Sequence, residues 1–169
     1  MDIIVDNIRI KTSAWNEISE LEDLYGQAMG QLGFDRLQPP VSPRKFLRGV
    51  DAAAEHRENY ELLSVYVTDM LVGYIALYRD FPAKQYARII FIFIAEAARR
   101  QGFGEQTLAA LCRYFYEAGY KTMRVTVSLR SWGALRFFYS LAFREITELA
   151  IDGELDSGGC GTVDLERKL

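Results

Sequence analysis

The sequence is poor in the residues that build metal centres and disulfide frameworks. Among 169 residues there is one histidine, His56, and there are two cysteines, Cys112 and Cys160. The cysteines lie far apart and form no CxxC or Cys/His cluster, which argues against both a zinc site and a stapled fold. Net charge is only −3, so non-specific nucleic-acid binding has no electrostatic footing. A mildly acidic surface can accept a cationic amine, and it is equally an ordinary soluble surface. Long apolar runs are missing as well: the longest, Ile89 to Ala95, is far too short to cross a bilayer. The opening MDIIVDNIRI lacks the basic start and apolar stretch of a secretory signal. The expected setting is therefore cytoplasmic, with neither nucleic acid nor membrane as partner.

What is present is the make-up of a soluble globule, half apolar and a quarter charged, in a length that suits one domain spanning 1–169 with its own core. No repeat, low-complexity tract or linker interrupts it. Ile3, Val5, Ile8 and Ile10 predict one opening strand whose alternation breaks near Asn7. Ser13 is placed to cap a helix carrying Ile18, Leu21, Tyr25, Ala28 and Leu32, which Gly33 would end. Gln38 to Val41, with two prolines, reads as a loop. Ser42-Pro43 then starts a second helix with Phe46, Leu47, Val50 and Ala54 inward. Leu63, Val65 and Val67 alternate as a strand, Thr68 to Met70 turns, and Leu71 to Tyr78 returns. Ala87 to Ile94 is almost continuously apolar, the pattern of a central strand covered on both faces.

A helix from about Phe103 presents Leu108, Leu111, Cys112 and Phe115 and stops at Gly119. Met123, Val125 and Val127 form another strand. Ser131 caps a short helix with Ala134, Leu135, Phe138 and Leu141. Phe143 to Ile151 and Thr162 onward are the closing strands, separated by Asp156 to Gly159. The expected fold is one α/β domain in the order βααβββαβαββ, with about seven strands in a mixed, mostly antiparallel sheet flanked by four helices.

The segment with chemistry in it is Arg99-Arg100-Gln101-Gly102-Phe103-Gly104, set between the apolar strand and an amphipathic helix. The first turn of a helix leaves N–H groups unpaired at its electropositive end. Gly102 and Gly104 lack a Cβ, so a phosphate can approach the backbone there, while Arg99 and Arg100 can pair with its oxygens. Thr107 stands where a dinucleotide GxGxxG would need its last glycine, and no Gly-Lys-Ser/Thr of a Walker loop exists. From the hexapeptide alone, a pyrophosphate cradle and a tight turn with two solvated arginines stand level.

Arg99-x-x-Gly102-x-Gly104 after an apolar strand, followed by Ser131-x-x-Ala134-x-x-Phe137-Phe138-Tyr139-x-x-Ala142-Phe143, resembles the GCN5-related N-acetyltransferase (GNAT) family. The family pattern is Q/R-x-x-G-x-G/A and then N-x-x-A-x-x-hydrophobic-Tyr ending in Gly-Phe. The order of elements over nearly the whole chain is similar too.

The resemblance implies an acetyl-CoA-dependent N-acyltransferase acting on the primary amine of a small molecule or peptide by direct attack in a ternary complex. It implies a cofactor site of Ile92, Ile94, Arg99, Arg100, Gln101, Gly102, Phe103, Gly104 and Ser131, with acetyl-CoA or coenzyme A as co-substrate and no metal. In that arrangement the strand ending at Ile94 splays from its neighbour, and Ile92 and Ile94 offer backbone groups to the pantetheine arm.

The chain departs from the pattern where proton transfer is served. Phe138 stands in the tyrosine position, with Tyr139 one residue further and rotated by about 100°. Thr126 stands where several members carry a basic glutamate, and Ser131 replaces the asparagine. Tyr139 remains the candidate acid, and Glu96, acting through water, the candidate base. His56 reads as a surface residue, Arg44, Lys45 and Arg48 as a basic helix face, and Trp15 and Trp132 as packing residues. Two alternatives stay open: a non-catalytic acyl-CoA-binding domain on the same fold, and another nucleotide- or phosphate-binding module. A homodimer is compatible with the sequence, which does not name the acceptor.

Overall fold

The computed structural model describes residues 1–32, 42–48, 57–152 and 160–169. Gly33, the Gln38 to Val41 loop, Val50, Ala54, His56 and the Asp156 to Gly159 stretch lie outside them. The chain opens with a hairpin rather than a single strand: β1 (Asp2–Val5) and β2 (Ile8–Thr12) pair antiparallel with Val5 opposite Ile8. The break near Asn7 is the turn itself, where Asp6 takes φ 51°, a left-handed conformation that Asp tolerates better than most residues. The strand total rises from seven to eight for this reason.

Ser13 is no helix cap. It is buried, its hydroxyl 2.8 Å from that of Ser64. A single turn at Trp15–Glu17 precedes α1 (Ile18–Leu32), and the Glu17 carboxylate accepts the Ala14 N–H at 2.7 Å. Ser42 does cap α2 (Pro43–Arg48): its C=O accepts the Phe46 N–H at 2.9 Å and its hydroxyl the Lys45 N–H at 3.4 Å.

β3 (Tyr60–Val67), β4 (Met70–Arg79) and β5 (Tyr86–Ile94) continue the sheet antiparallel. Then come α3 (Phe103–Glu117), β6 (Thr122–Ser128), α4 (Trp132–Ser140), β7 (Glu145–Asp152) and β8 (Cys160–Lys168). Gly119, at φ 85°, ends α3: its N–H reaches Tyr116 and that of Tyr120 reaches Phe115, which satisfies two of the helix's last carbonyls. The sheet order is β1-β2-β3-β4-β5-β6-β8-β7. β5 and β6 run parallel across the α3 crossover, and every other pair is antiparallel.

One face of the sheet packs under α3 and α4 around Ile75, Ile89, Leu108, Leu111, Phe115 and Phe143. The other packs under α1 and α2 around Leu21, Leu24, Tyr74 and Phe93. β5 is central by strand order, but the strand covered almost throughout is β4, buried from Val72 to Tyr78, while Ile90 of β5 is 39% exposed. Neither tryptophan is buried: Trp15 lies 48% exposed beneath the Arg48 guanidinium, and Trp132 is 72% exposed. Among the described residues no helix is long and apolar enough to cross a membrane.

Candidate active site

Two neighbouring strands part company at the centre of the sheet. β5 pairs with β6 only from Tyr86 to Ile89, opposite Thr122 to Val125. Ile90–Ile94 and Thr126–Ser128 continue unpaired with one another, while β6 stays fully paired to β8. The divergence starts at a bulge: Leu77 faces Ile89 and Ala76 faces Phe91, which leaves Ile90 as an extra residue in β5. Such an insertion bends the strand that carries it.

Beyond the bulge the alternation of an antiparallel ladder fixes which way the backbone points. The Ala95 N–H donates to the Val72 carbonyl at 2.8 Å, so Phe93 and Phe91 direct their backbone groups at β4. Those of Ile92 and Ile94 point away from β4, into the opening. The Ile94 carbonyl is claimed there by Arg99, whose Nε–H donates to it at 2.7 Å.

The opening leads to the start of α3. After β5 a single turn spans Glu96–Ala98. Arg100 (φ 62°) and Gly102 (φ 82°) then adopt left-handed conformations that redirect the chain into the helix. Gly102 is the N-cap residue, and no side chain caps the first turn. The leading N–H groups of a 15-residue helix are thus left to whatever lies beyond its positive end. Gln101 is tied back, its amide donating to the Ala97 carbonyl at 3.0 Å, and Phe103 packs half-buried against the core. A Cβ on Gly104 would meet the Phe137 ring at 3.6 Å and Ile94 Cγ1 at 3.8 Å. The cradle, the end of β5 and α4 therefore converge on one spot.

The two arginines differ. Arg100 is exposed beside the helix N-terminus. Arg99 is half-buried, folded back on the Ile94 carbonyl with its guanidinium 4.9 Å over the Phe93 ring. It turns toward the α1–α2 face of the sheet and braces the strand end. Ser131 occupies the N-cap position of α4 through its backbone only: its C=O accepts the Leu135 N–H at 2.9 Å, and its side chain makes no cap bond.

Tyr139 does not join this group. It lies two residues after Phe137, hence about 200° around α4. It is 60% exposed, with the Arg144 guanidinium 5.2 Å over its ring. Phe138 points inward and packs edge-on against Phe143. One residue turns α4 by about 100°, so neither Phe138 nor Tyr139 shares the face on which Phe137 meets Gly104. Glu96 is exposed in the turn after β5.

Thr126, on β6 beside the closed end of the opening, is committed elsewhere. Its hydroxyl donates to Asp164 Oδ1 at 2.6 Å and accepts from Arg88 at 2.8 Å. Asp164 stands directly opposite it on β8, 4% exposed, with Arg88 and Arg124 each 3.5 Å from Oδ2. Sequence reasoning missed Phe137 as a wall of the site, although it stands in the hydrophobic position of the second motif. It also missed Asp164, which only the β6–β8 register brings beside Thr126. Among the described residues no group of three His, Cys, Asp or Glu side chains could hold a metal ion.

Residues 18–143 match the model of the Acetyltransferase (GNAT) family. No curated protein sequence matches the chain. Among solved structures, a RimL ribosomal L7/L12 alpha-N-protein acetyltransferase in complex with coenzyme A superposes with a TM-score of 0.79 at 15% identity, over 100% of this chain and 98% of that one. An acetyltransferase from Thermus thermophilus gives 0.73 at 16% identity over 100% of both chains. A Bacillus subtilis acetyltransferase in complex with coenzyme A gives 0.66 at 22% identity, over 96% of this chain and 99% of the other. At these identities the likeness is one of fold.

Proposed function

The chain belongs to the acetyltransferase (GNAT) family, and we propose that it transfers an acetyl group from acetyl-CoA to a primary amine of a small molecule or peptide. The observation that carries this reading is the continuous path from the β5–β6 opening to the uncapped start of α3. The residues fit the group. Phosphate oxygens supply the cap that Gly102 cannot, the exposed Arg100 adds charge, and Gly104 keeps the approach clear. The Ile92 backbone groups and the Ile94 N–H, which point away from β4, suit an extended amide-bearing arm, which they can hydrogen-bond as a neighbouring strand would, while the Ile94 carbonyl stays with Arg99. Ser131, whose side chain makes no cap bond at the start of α4, is a further candidate donor to the cofactor.

When bound, acetyl-CoA supplies an activated thioester whose carbonyl carbon accepts the amine. The chain's contribution is positioning and electrostatics. A backbone N–H of Ile92 or Ile94 is a fixed donor to the carbonyl oxygen, of the kind worth about 2.7–4 kcal/mol in acyl transfer. Arg99, pinned across Phe93, sets the strand end against the turn. No side-chain acid is in register, because Phe138 carries no hydroxyl and Tyr139 faces outward. Thr126 is committed to Asp164 and Arg88 and is no base. The amine therefore gives its proton to water, with the exposed Glu96 as the candidate carboxylate to receive it, and the expelled coenzyme A thiolate takes its proton from water. The rate should then climb with pH toward the acceptor's own pKa, about 10 for a lysine-like amine.

The test pairs calorimetry of coenzyme A, dephospho-coenzyme A and ATP with acetyl transfer across a panel of small amines and N-terminal peptides. Submicromolar to micromolar coenzyme A binding with transfer to at least one amine is expected. Binding without any transfer would favour the non-catalytic domain, for which the absent hydroxyl at Phe138 speaks. Tighter ATP than coenzyme A would overturn the site assignment. The peptide arm matters because a structural neighbour is described as acting on a ribosomal protein N-terminus. A cytoplasmic setting belongs to the same proposal, and detection of the native protein outside the cell would contradict it.

A further inference from the structure

Arg88 is a half-buried cation with little to hold. It stands on β5 opposite Tyr78 of β4 and Arg124 of β6. From there its side chain, 28% exposed, reaches diagonally across to β6, where Nη2 donates to the Thr126 hydroxyl at 2.8 Å. Thr126 is the first β6 residue beyond the stretch paired with β5, so the guanidinium stands at the closed end of the opening. Asp164 Oδ2 is 3.5 Å away, accepts no hydrogen bond and is shared at the same distance with Arg124. Arg124 has a further partner in Glu166, 2.8 Å from its Nε. Arg88 has none: among the described residues its side chain makes one hydrogen bond, to a neutral hydroxyl, and Nε and Nη1 meet no acceptor.

The rest of its surroundings are aromatic. The guanidinium lies 5.4 Å over the ring of Phe81, which is 40% exposed. Phe81 continues through Tyr78 and Tyr60 to Phe46 of α2, with ring centroids 5.3, 4.3 and 6.1 Å apart. The Ile90 bulge adds another ring. Arg88 faces Tyr78 and Phe91 faces Ala76, two residues apart on β4, so Arg88 and the half-buried Phe91 share a face although they lie three positions apart. That face is also the one an acceptor can reach. On the other, Phe137 and Ile94 close around Gly104. On this one α1 and α2 pack on β3, β4 and β5, while β6 and β8, whose alternate residues Val125, Val127, Val163 and Leu165 are in the core beneath α3 and α4, turn Thr126 and Asp164 outward.

We infer that Arg88 selects the acceptor, and that the acceptor is a small amine carrying both a carboxylate and an aromatic ring, as an aromatic amino acid does. The inference rests on the transferase reading above and narrows its substrate. A carboxylate brings two acceptor oxygens to the spare N–H groups of Arg88, and a negative charge that Asp164 supplies only in part. The ring lies against Phe81 and Phe91, where aromatic contact adds to plain burial. The amine, one carbon from the carboxylate, then faces the opening in which the thioester is offered. Asp164 acts as a positioning residue, because Thr126 and Arg88 both lean on it.

The test compares acetyl transfer to phenylalanine, to phenethylamine, which lacks the carboxylate, and to alanine, which lacks the ring. Phenylalanine should exceed phenethylamine in kcat/KM by about 10- to 150-fold, the worth of a hydrogen bond to a charged group. Arg88→Gln should raise KM for phenylalanine by a similar factor, lower kcat less and erase the preference, at native coenzyme A affinity. Arg88→Lys keeps the charge beside Asp164 and should recover only part of the loss; it carries the test if Arg88→Gln fails to fold. Phe81→Leu should narrow the preference for phenylalanine over alanine. Phenethylamine or alanine accepted as well as phenylalanine, or an Arg88→Gln chain with native KM and preference, would overturn the assignment. Absence of transfer to every amine would count against the transferase reading instead. Calorimetry of phenylalanine on the coenzyme A-saturated chain then decides the role of Arg88: binding that Arg88→Gln removes supports it, and no binding to the wild-type chain overturns it.

Discussion

The two glycines of the turn should fail in opposite ways when each gains a methyl group. Gly102 sits at φ 82°, and an added Cβ would meet only the flexible Gln106 amide, at 3.4 Å. The penalty for Gly102→Ala is therefore backbone strain rather than collision, about 1–2 kcal/mol for an L-residue held left-handed. For a domain of this size each kcal/mol lowers Tm by about 2–4 °C. Gly102→Asn, which tolerates this conformation better, should lose less.

Gly104 lies inside the first turn of α3 without a left-handed φ, and a Cβ there would find ordinary contacts with Phe137 and Ile94. Gly104→Ala should raise stability by about 0.5–1 kcal/mol through helix propensity. Gly104→Val adds two further methyl groups at the mouth of the cradle. It should weaken coenzyme A by about 1.5–3 kcal/mol, the worth of one charge-assisted hydrogen bond, while the fold persists. Scanning calorimetry and isothermal titration on the four variants separate the effects. A Gly102→Ala chain as stable as wild type would refute the strain argument, and a Gly104→Val chain with native affinity would refute the cradle.

Other expectations rest on single side chains. Arg100→Ala should weaken coenzyme A in low salt and progressively less as ionic strength rises, whereas Arg99→Ala should act mainly on kcat by loosening the strand end; equal salt-dependent losses from both would contradict the different roles. Tyr139→Phe should leave kcat unchanged, and a tenfold fall would return that hydroxyl to the mechanism. Burial opposes the charge on Glu17, but hydrogen bonds from Lys11, Tyr66 and the Ala14 N–H outweigh it and hold its carboxyl below the ordinary 4.5. Its stabilising contribution is thus complete above pH 4.5 and fades as pH falls through the lowered folded value. Urea titrations from pH 7 to pH 3 should show a slope that Glu17→Gln flattens; an unaltered slope would place the acid sensitivity elsewhere.

The parts of the molecule legible in the sequence are those in which one residue settles a local question. Gly119 stops α3, and Ser42-Pro43 starts α2. Gly102 marks the strand-to-helix turn because a left-handed cap on a long helix strongly favours glycine. Direction was harder to read. Ser13 has the chemistry of a cap, but Ser64 on β3 captures its hydroxyl. Tyr139 and Phe138 differ by 100° of helix, and that single step decides which one looks inward. The apolar run in β5 reads as a strand covered on both faces, yet part of it lines an opening created by the Ile90 bulge. The Thr126–Asp164 pair depends on a register between segments almost forty residues apart, for which one sequence carries no local signal.

The parting of β5 from β6 leaves the sheet one strand short along Ile90–Ile94, in the middle rather than at a margin. A ligand that completes those hydrogen bonds becomes a structural element of the domain, and its concentration enters the stability of the whole. At a hundred times its dissociation constant such a ligand adds about 2.7 kcal/mol, comparable to the loss from truncating one large core side chain. The supply of substrate would then govern how long the chain lasts as well as how fast it works, because an unfilled sheet opens more often to proteolysis. Amide exchange along Ile92 and Ile94 should slow first as the ligand is added, ahead of the margins of the sheet.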